Sequence, residues 1–496
     1  MRQDRFARAV RPLGRIALAA VLAASVSAAV GPAGSAVPPD VAAPVAVPEC
    51  PPIAFTLEER GLILETLLAA DDPAAGLEAL EDAALMAVLR RHAIRQLGLR
   101  IRPSAIDRIW TLEPPLRDVD VELNNARRDG RFAAWLQALE PPHAGYRALA
   151  AERRRYRTII DGGGWLPLSP GPTFTEGAED ARIEAVRARL TAEGYSLLPT
   201  ETPARFDADL ATALRTFQRR HDLDEDGVLG TETRRALDIP AEERLAQIDV
   251  NLERWRWLPR QLPPDRLELD TGAAEAVRYT TGAPTLTMRV IVGSPRHKTP
   301  MFASALDAVV LNPPWNVPAS IARNEILPRA AREPGYLSRN GYVRTANGLQ
   351  QRPGPGNALG FLKFDLPSPF GVYLHDTPGR SSFARRVRTL SHGCMRLEKP
   401  RELAEDLLAP QGWTRADIDR VIDARATRRI ALQKTLPLFV IYRTVGLDEA
   451  GRAIFRPDPY RWDARLQTAL SEADRRPPPP RRCIAPVAVP VPLPTP

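Results

Sequence analysis

A thiol and two imidazoles crowd one stretch of this chain. Tyr373-Leu-His-Asp-Thr-Pro-Gly-Arg is followed by Leu390-Ser-His-Gly-Cys-Met-Arg-Leu. His375 thus stands 19 residues before Cys394 and His392 two residues before it, in a chain of 496 residues with three cysteines and six histidines. A free thiol is only slightly ionised at neutral pH, and a neighbouring imidazole makes its nucleophilic thiolate accessible. In that chemistry Cys394 is the nucleophile. His375 is its base, provided a carbonyl or side chain holds the other ring nitrogen and fixes the tautomer. Gly393 frees the backbone to place the thiol at a turn, and the amides of Gly393 and Cys394 are candidate donors to an oxyanion. His392 lines the pocket or serves as a second polar partner. Arg396 fixes the loop or binds a substrate carboxylate, and Tyr373, Asp376 and Ser391 complete the candidate pocket. The pattern points to cysteine acyl transfer. Zinc is the rival, with His375, His392 and Cys394 as ligands. No His-Glu-x-x-His or Cys-x-x-Cys spacing accompanies them, so neither a metal nor another cofactor is expected.

The elements that must position these residues begin near Leu286, where β-branched and aromatic runs bounded by Gly and Pro replace helical periodicity. Leu286–Val292, Ala308–Leu311, Gly371–Leu374 and Leu438–Tyr442 read as strands, the last starting just after Pro437. Asn312-Pro-Pro-Trp-Asn-Val-Pro reads as a rigid loop. Ala319–Arg344 begins helical and is long enough to be a lid over an active site. Pro400–Leu408 and Arg415–Arg425 read as helices on the periphery.

Upstream, Leu57–Leu68 and Leu77–Leu97 carry apolar residues at three- and four-residue spacing, which predicts helices. Gly162-Gly163-Gly164 ends this helical region. Asp180–Pro240 reads as three helices, Arg182–Glu193, Asp207–His221 and a last one ending at Leu237. Its acidic loop from Asp222 imitates a calcium loop, but Thr233 stands where a bidentate Glu is required, which argues against calcium. In Gln247-Ile-Asp-Val-Asn-Leu-Glu-Arg-Trp-Arg-Trp-Leu-Pro, the spacing of Ile248, Leu252 and Trp255 predicts a packed connector helix. Trp255 and Trp257 read as packing residues ahead of sugar-stacking ones.

Composition bounds the partners. The net charge is +8, but half of it lies in the first 36 residues, where five arginines face one aspartate. The remaining arginines are scattered among Ala and Pro, which argues against a phosphate-binding face and against nucleic acid. Residues 1–36 combine basic residues, the apolar run Ile16–Val30 and small residues, the pattern of an export signal, cleaved or retained as a membrane anchor. Either form expects the rest of the chain outside the cytoplasm, in the periplasm. The chain has fifty prolines, and they are densest at Val37–Pro52 and Pro477–Pro496. Cys50 and Cys483 lie in those two tails and form a candidate disulfide in an oxidising compartment.

Two resemblances sharpen this. Ala213-Leu-Arg-Thr-Phe-Gln-Arg-Arg-His and Asp226-Gly-Val-Leu-Gly-Thr-Glu-Thr-Arg-Arg-Ala-Leu resemble the three-helix peptidoglycan-binding module, which implies Leu214 and Phe217 in its core and tight turns at Gly227 and Gly230. Asn312-Pro-Pro-Trp-Asn-Val-Pro, Gly354-Pro-Gly-Asn-Ala-Leu-Gly, Tyr373-Leu-His-Asp-Thr-Pro and Ser391-His-Gly-Cys-Met-Arg-Leu resemble the YkuD-type catalytic domain of L,D-transpeptidases, in its large YcbB-like branch. The implied fold is multidomain α+β. A signal or anchor at 1–36 and a Pro-rich linker at 37–55 precede a helical scaffold at 56–175. A peptidoglycan-binding-like domain at 178–240 and a connector at 241–275 follow. The mostly-β catalytic domain with peripheral helices spans 276–447, with a candidate capping loop at 319–344, and an extension with a Pro-rich tail spans 448–496. The implied reaction is attack by Cys394 on the bond between diaminopimelate and D-alanine in a tetrapeptide stem, with His375 as base. A diaminopimelate amine then resolves the acyl-enzyme into a cross-link. The implied partners are stem peptides and glycan. Wall hydrolases of the NlpC type place Cys before His, the reverse of the order here.

Overall fold

The computed structural model describes residues 54–70 and 76–477. The candidate signal or anchor, nearly all of the Pro-rich linker, Cys50, Cys483 and the end of the Pro-rich tail lie outside the described residues. Among the described residues no helix is long and apolar enough to cross a membrane.

Strands β1 (Arg266–Asp270), β2 (Glu275–Thr280), β3 (Ala283–Gly293) and β4 (Phe302–Leu311) open the catalytic region. Strands β5 (Trp315–Asn316), β6 (Tyr342–Thr345) and β7 (Gly348–Gln351) form a small separate sheet in the order β5-β7-β6. Then come β8 (Leu362–Asp365), β9 (Leu374–His375), β10 (Thr389–Ser391), β11 (Met395–Leu397) and β12 (Arg428–Ile441), with a last hairpin of β13 (Val445–Leu447) and β14 (Ala453–Phe455). The main sheet runs β10-β3-β11-β9-β8-β4-β12-β1-β2, and β2 pairs again with β3, so the sheet closes on itself. Closure leaves few unpaired edges and encloses one apolar core. Leu267, Val290, Leu311, Phe364, Leu374 and Met395 meet there, fully buried. The helices Pro400–Leu408 and Arg415–Asp423 add Leu403, Leu408, Ile418 and Ile422 to that core.

Three readings shift. The connector read as far as residue 275 contributes β1, which pairs in parallel with β12. The strand expected at Gly371–Leu374 shrinks to Leu374–His375, because Gly371 takes a left-handed φ of 65° and its N–H closes a turn on the Ser368 carbonyl. Strand β12 starts well before Pro437. The missing N–H is tolerated because the pairing register with β4 already slips between Ala431 and Leu436.

The scaffold opens with helix Leu57–Ala69, whose Thr56 and Glu59 form a reciprocal capping box. The helix expected over Leu77–Leu97 divides into a short turn, Leu77–Ala79, and helix Asp82–Gln96, since Leu80 and Glu81 are extended. The three helices of the next module span Arg182–Ala192, Ala208–Arg220 and Thr231–Leu237, with Leu214 and Phe217 fully buried. Gly227 takes the left-handed turn at φ 73°, whereas Gly230 is extended. In the acidic loop, Asp226 accepts from Gln218 Nε2 at 2.7 Å and from the Val228 N–H at 2.8 Å. That carboxylate braces its own turn. The connector helix Ala241–Arg256 delivers Trp257, fully buried against Trp110, and Trp255, which packs over Gly145 and the Arg443 guanidinium.

The insertion at 319–344 is structured. Its helical turns between Ala319 and Arg339 and strand β6 share a small apolar cluster with Val317 and Leu349. The acidic loop of the three-helix module docks on the segment between His375 and Cys394. Arg386 donates to the Asp222 carbonyl at 2.9 Å and to Glu232 at 3.2 Å.

Candidate active site

Strand register brings the motif together. Strand β9 lies between β8 and β11, with Leu374 opposite Phe364 and Met395, and His375 opposite Lys363 and Arg396. Successive side chains of a strand point to opposite faces. Leu374, Phe364 and Met395 are fully buried in the core, so His375, Lys363 and Arg396 share the other face. Tyr373 and Cys394 immediately precede the two strands, and the Met395 N–H donates to the Tyr373 carbonyl at 3.1 Å, which sets Cys394 level with Tyr373. Five candidate side chains, of Lys363, Tyr373, His375, Cys394 and Arg396, are therefore brought together by three adjacent strands.

The thiol of Cys394 is free and half-buried. Burial pushes its pKa up. The main-chain N–H and the hydroxyl of Tyr373, then the charges of Arg396 and Lys363, act in the opposite sense by favouring thiolate. Burial likewise pushes the Tyr373 phenol well above its ordinary range, so it stays a hydrogen-bond donor. His375 is 4% exposed. Burial first, and the Arg396 charge second, hold its pKa down to about 3, so the ring is neutral at pH 7. Its Nδ1 lies 2.5 Å from the Asp376 carbonyl. A carbonyl only accepts, so Nδ1 carries the proton and Nε2 keeps its lone pair. This is the tautomer a base requires. Among the described residues no hydrogen bond joins His375 to Cys394; the Tyr373 ring packs edge-on against His375 at 5.7 Å. In unliganded sites such a contact commonly closes only with substrate in place.

The turn at Gly393 and Cys394 is held by the Ser391 side chain. Gly393 has φ 108°, a conformation that favours glycine. Its N–H donates to Ser391 Oγ at 3.1 Å, and that hydroxyl donates to the Cys394 carbonyl at 2.6 Å. The Gly393 amide, expected to share the oxyanion, is therefore committed elsewhere. The Cys394 amide has no acceptor among the described residues.

The other expected residues divide. His392 engages the insertion: its Nε2 lies 2.8 Å from Glu325, and its ring packs on His297 at 4.7 Å. Asp376 accepts the Phe361 N–H at 2.9 Å, a structural bond. Arg396 has its Nε enclosed without a hydrogen-bond partner, and the charged group acting on it is Cys394. No cluster of three or more metal-ligating side chains occurs among the described residues. Motif reading missed Lys363, whose charge acts on the Cys394 thiol. Lys363 carried one usable signal, being one of four lysines in an arginine-rich chain.

Comparison with known proteins follows the same division of the chain. Residues 264–420 match the family described as the L,D-transpeptidase catalytic domain (YkuD), residues 179–237 match “Putative peptidoglycan binding domain”, and residues 63–152 match a scaffold domain. A protein of Haemophilus influenzae named “Putative L,D-transpeptidase” is 34% identical over 212 residues, 38% of this chain and 43% of that protein. The chain thus spans less than half the length of that relative. An L,D-transpeptidase structure from Stackebrandtia nassauensis aligns over 55% of this chain and 97% of its own, at 11% identity and a TM-score of 0.22. One from Mycobacterium smegmatis aligns over 36% and 58%, at 16% identity and a TM-score of 0.18. The family matches bear out the resemblance read from the motifs, a YkuD-type catalytic domain joined to a peptidoglycan-binding module.

Proposed function

We propose that this chain is an extracytoplasmic peptidoglycan L,D-transpeptidase in which Cys394 is the nucleophile and His375 the base. The observation that carries the reading is the shared strand face, on which a thiol, a neutral imidazole of fixed tautomer and an unpaired cation stand together beside a free main-chain amide. His375 Nε2 takes the Cys394 proton as the sulfur attacks the carbonyl between diaminopimelate and D-alanine. The negative oxygen of the tetrahedral intermediate is met by the Cys394 N–H. Collapse breaks the C–N bond, the His375 proton passes to the departing amine, and a thioester remains. The side-chain amine of a second stem attacks it, His375 accepts the amine proton, and the thiol is restored as the cross-link forms. Water in place of the amine gives carboxypeptidase activity. The three-helix module supplies affinity for glycan, and the N-terminal signal or anchor supplies periplasmic placement.

Muropeptide analysis after incubation with tetrapeptide-rich sacculi tests this directly. Cross-links between two diaminopimelates, lost in Cys394→Ala and His375→Ala, are expected; their absence with folded wild-type protein refutes the proposal.

A further inference from the structure

The nucleophile turn is clamped from behind by residues outside its motif. Thr299 is fully buried, and its hydroxyl donates to the Gly393 carbonyl at 2.9 Å while accepting the Gly293 N–H at 2.9 Å. That acceptor bond commits the hydroxyl's single proton to Gly393. Tyr460 lies beyond the matched catalytic region, in the C-terminal extension, and is 1% exposed. Its hydroxyl donates to the Gly293 carbonyl at 2.7 Å and accepts the Thr299 N–H at 3.3 Å. The Tyr460 ring stacks on Tyr442 with centroids 5.3 Å apart, and its carbonyl accepts from Lys298 Nζ at 2.8 Å. The wire therefore ends on a rigid aromatic cluster.

The consequence lies in the peptide unit between Gly393 and Cys394. A trans peptide is planar, with its C=O and N–H pointing in opposite directions. A hydroxyl that holds the Gly393 oxygen from behind therefore turns the Cys394 N–H to the opposite side. Glycine at φ 108° has little steric hindrance against a crank rotation of that plane. Ser391 Oγ holds the Gly393 N–H at 3.1 Å and the Cys394 carbonyl at 2.6 Å, the groups on either side of this peptide unit and neither of its own.

We propose that Thr299 and Tyr460 are positioning residues that aim the Cys394 amide at the oxyanion, so that the C-terminal extension completes the active site. The proposal rests on the acyl-transfer reading above. It assigns the two side chains to the carbonyl-addition step and not to the reactivity of the sulfur.

Two reactions of Cys394 separate those roles. Acylation by a carbapenem, read by intact mass, passes through an oxyanion. Alkylation by iodoacetamide displaces iodide at a saturated carbon and forms none. Loss of one oxyanion donor costs about 10²–10³ in rate. We expect Thr299→Val to slow acylation by about that factor and Tyr460→Phe by about tenfold, with alkylation in both within about twofold of wild type. Thr299→Ser, which keeps the hydroxyl, restores acylation. With tetrapeptide substrate the loss falls on kcat and leaves KM unchanged. Acylation and alkylation falling together, or undiminished acylation in both Thr299→Val and Tyr460→Phe, overturns the proposal. If Thr299→Val does not fold, Tyr460→Phe alone carries the test. A wild-type protein that is alkylated at Cys394 yet neither acylated nor able to release D-alanine overturns the transpeptidase reading itself.

Discussion

Replacing Tyr373 by phenylalanine removes one hydroxyl from the site and isolates what that donor contributes to the proposed thiolate. Burial drives the Cys394 pKa up, and the main-chain N–H of Tyr373 is the largest opposing effect, followed by its hydroxyl. A hydrogen bond to a charged group is worth about 1.5–3 kcal/mol, and about 1.4 kcal/mol corresponds to one pKa unit. Loss of the hydroxyl therefore raises the thiol pKa by about one to two units. The main-chain N–H, Arg396 and Lys363 remain and cap the rise. The sign is fixed by the chemistry: a donor removed from the ionised form makes ionisation harder. Iodoacetamide alkylation followed against pH is the assay. Tyr373→Phe should react about 10- to 100-fold more slowly near neutrality and converge with wild type at high pH, where both are ionised. A thiol titration that is unchanged, or shifted down, refutes the assignment of Tyr373 as thiolate donor.

The pH profile of acylation supplies a second test. His375 is held neutral down to about pH 3 while the thiol is pushed up, so the rate should rise with pH through and above the ordinary thiol range. An inflection between about pH 5 and 7 that disappears in His375→Gln refutes the neutral-imidazole assignment. Arg396, unpaired beside the sulfur, is free to hold the carboxylate of the terminal D-alanine. Arg396→Gln should lower kcat/KM about 10- to 100-fold on a tetrapeptide acid and much less on its C-terminal amide; equal losses on both mean the charge acts only on the thiol. Away from the site, Glu193 is 2% exposed, accepts from the Tyr156 hydroxyl at 2.6 Å and pairs with Arg189 at 2.8 Å. Glu193→Gln leaves that arginine uncompensated and should cost about 3 kcal/mol, read as a lower urea midpoint; a midpoint within error of wild type refutes the pairing's importance.

Much of the architecture was legible because it follows local rules. Helix Pro400–Leu408 was read in full, the spacing of Ile248, Leu252 and Trp255 predicted the connector helix that spans Ala241–Arg256, and Gly and Pro marked the strands near Leu286 and Ala308. Residues that act through distant partners were not legible. β1 alternates Leu267 and Leu269 with charged residues but is only five residues long, and pairing with β12 and β2 is what makes it a strand. Thr299 and Tyr460 stand 95 and 66 residues from Cys394, with no spacing rule to connect them.

The sequence by itself determined which groups are the candidates for chemistry: Cys394, His375 and the glycine between Ser391 and the thiol. Reactivity belongs to side-chain type, and a 19-residue separation between two short motifs survives as a pattern. Tertiary structure decided where each of the two histidines stands. His392 is nearer in the chain, but the turn at Gly393 sends it to Glu325, while strand pairing puts His375 on the thiol's face beside Arg396. Only the fold decided the state of that imidazole, since burial and the Asp376 carbonyl set its charge and tautomer. Those are properties of surroundings assembled from segments far apart, which no single stretch of chain contains.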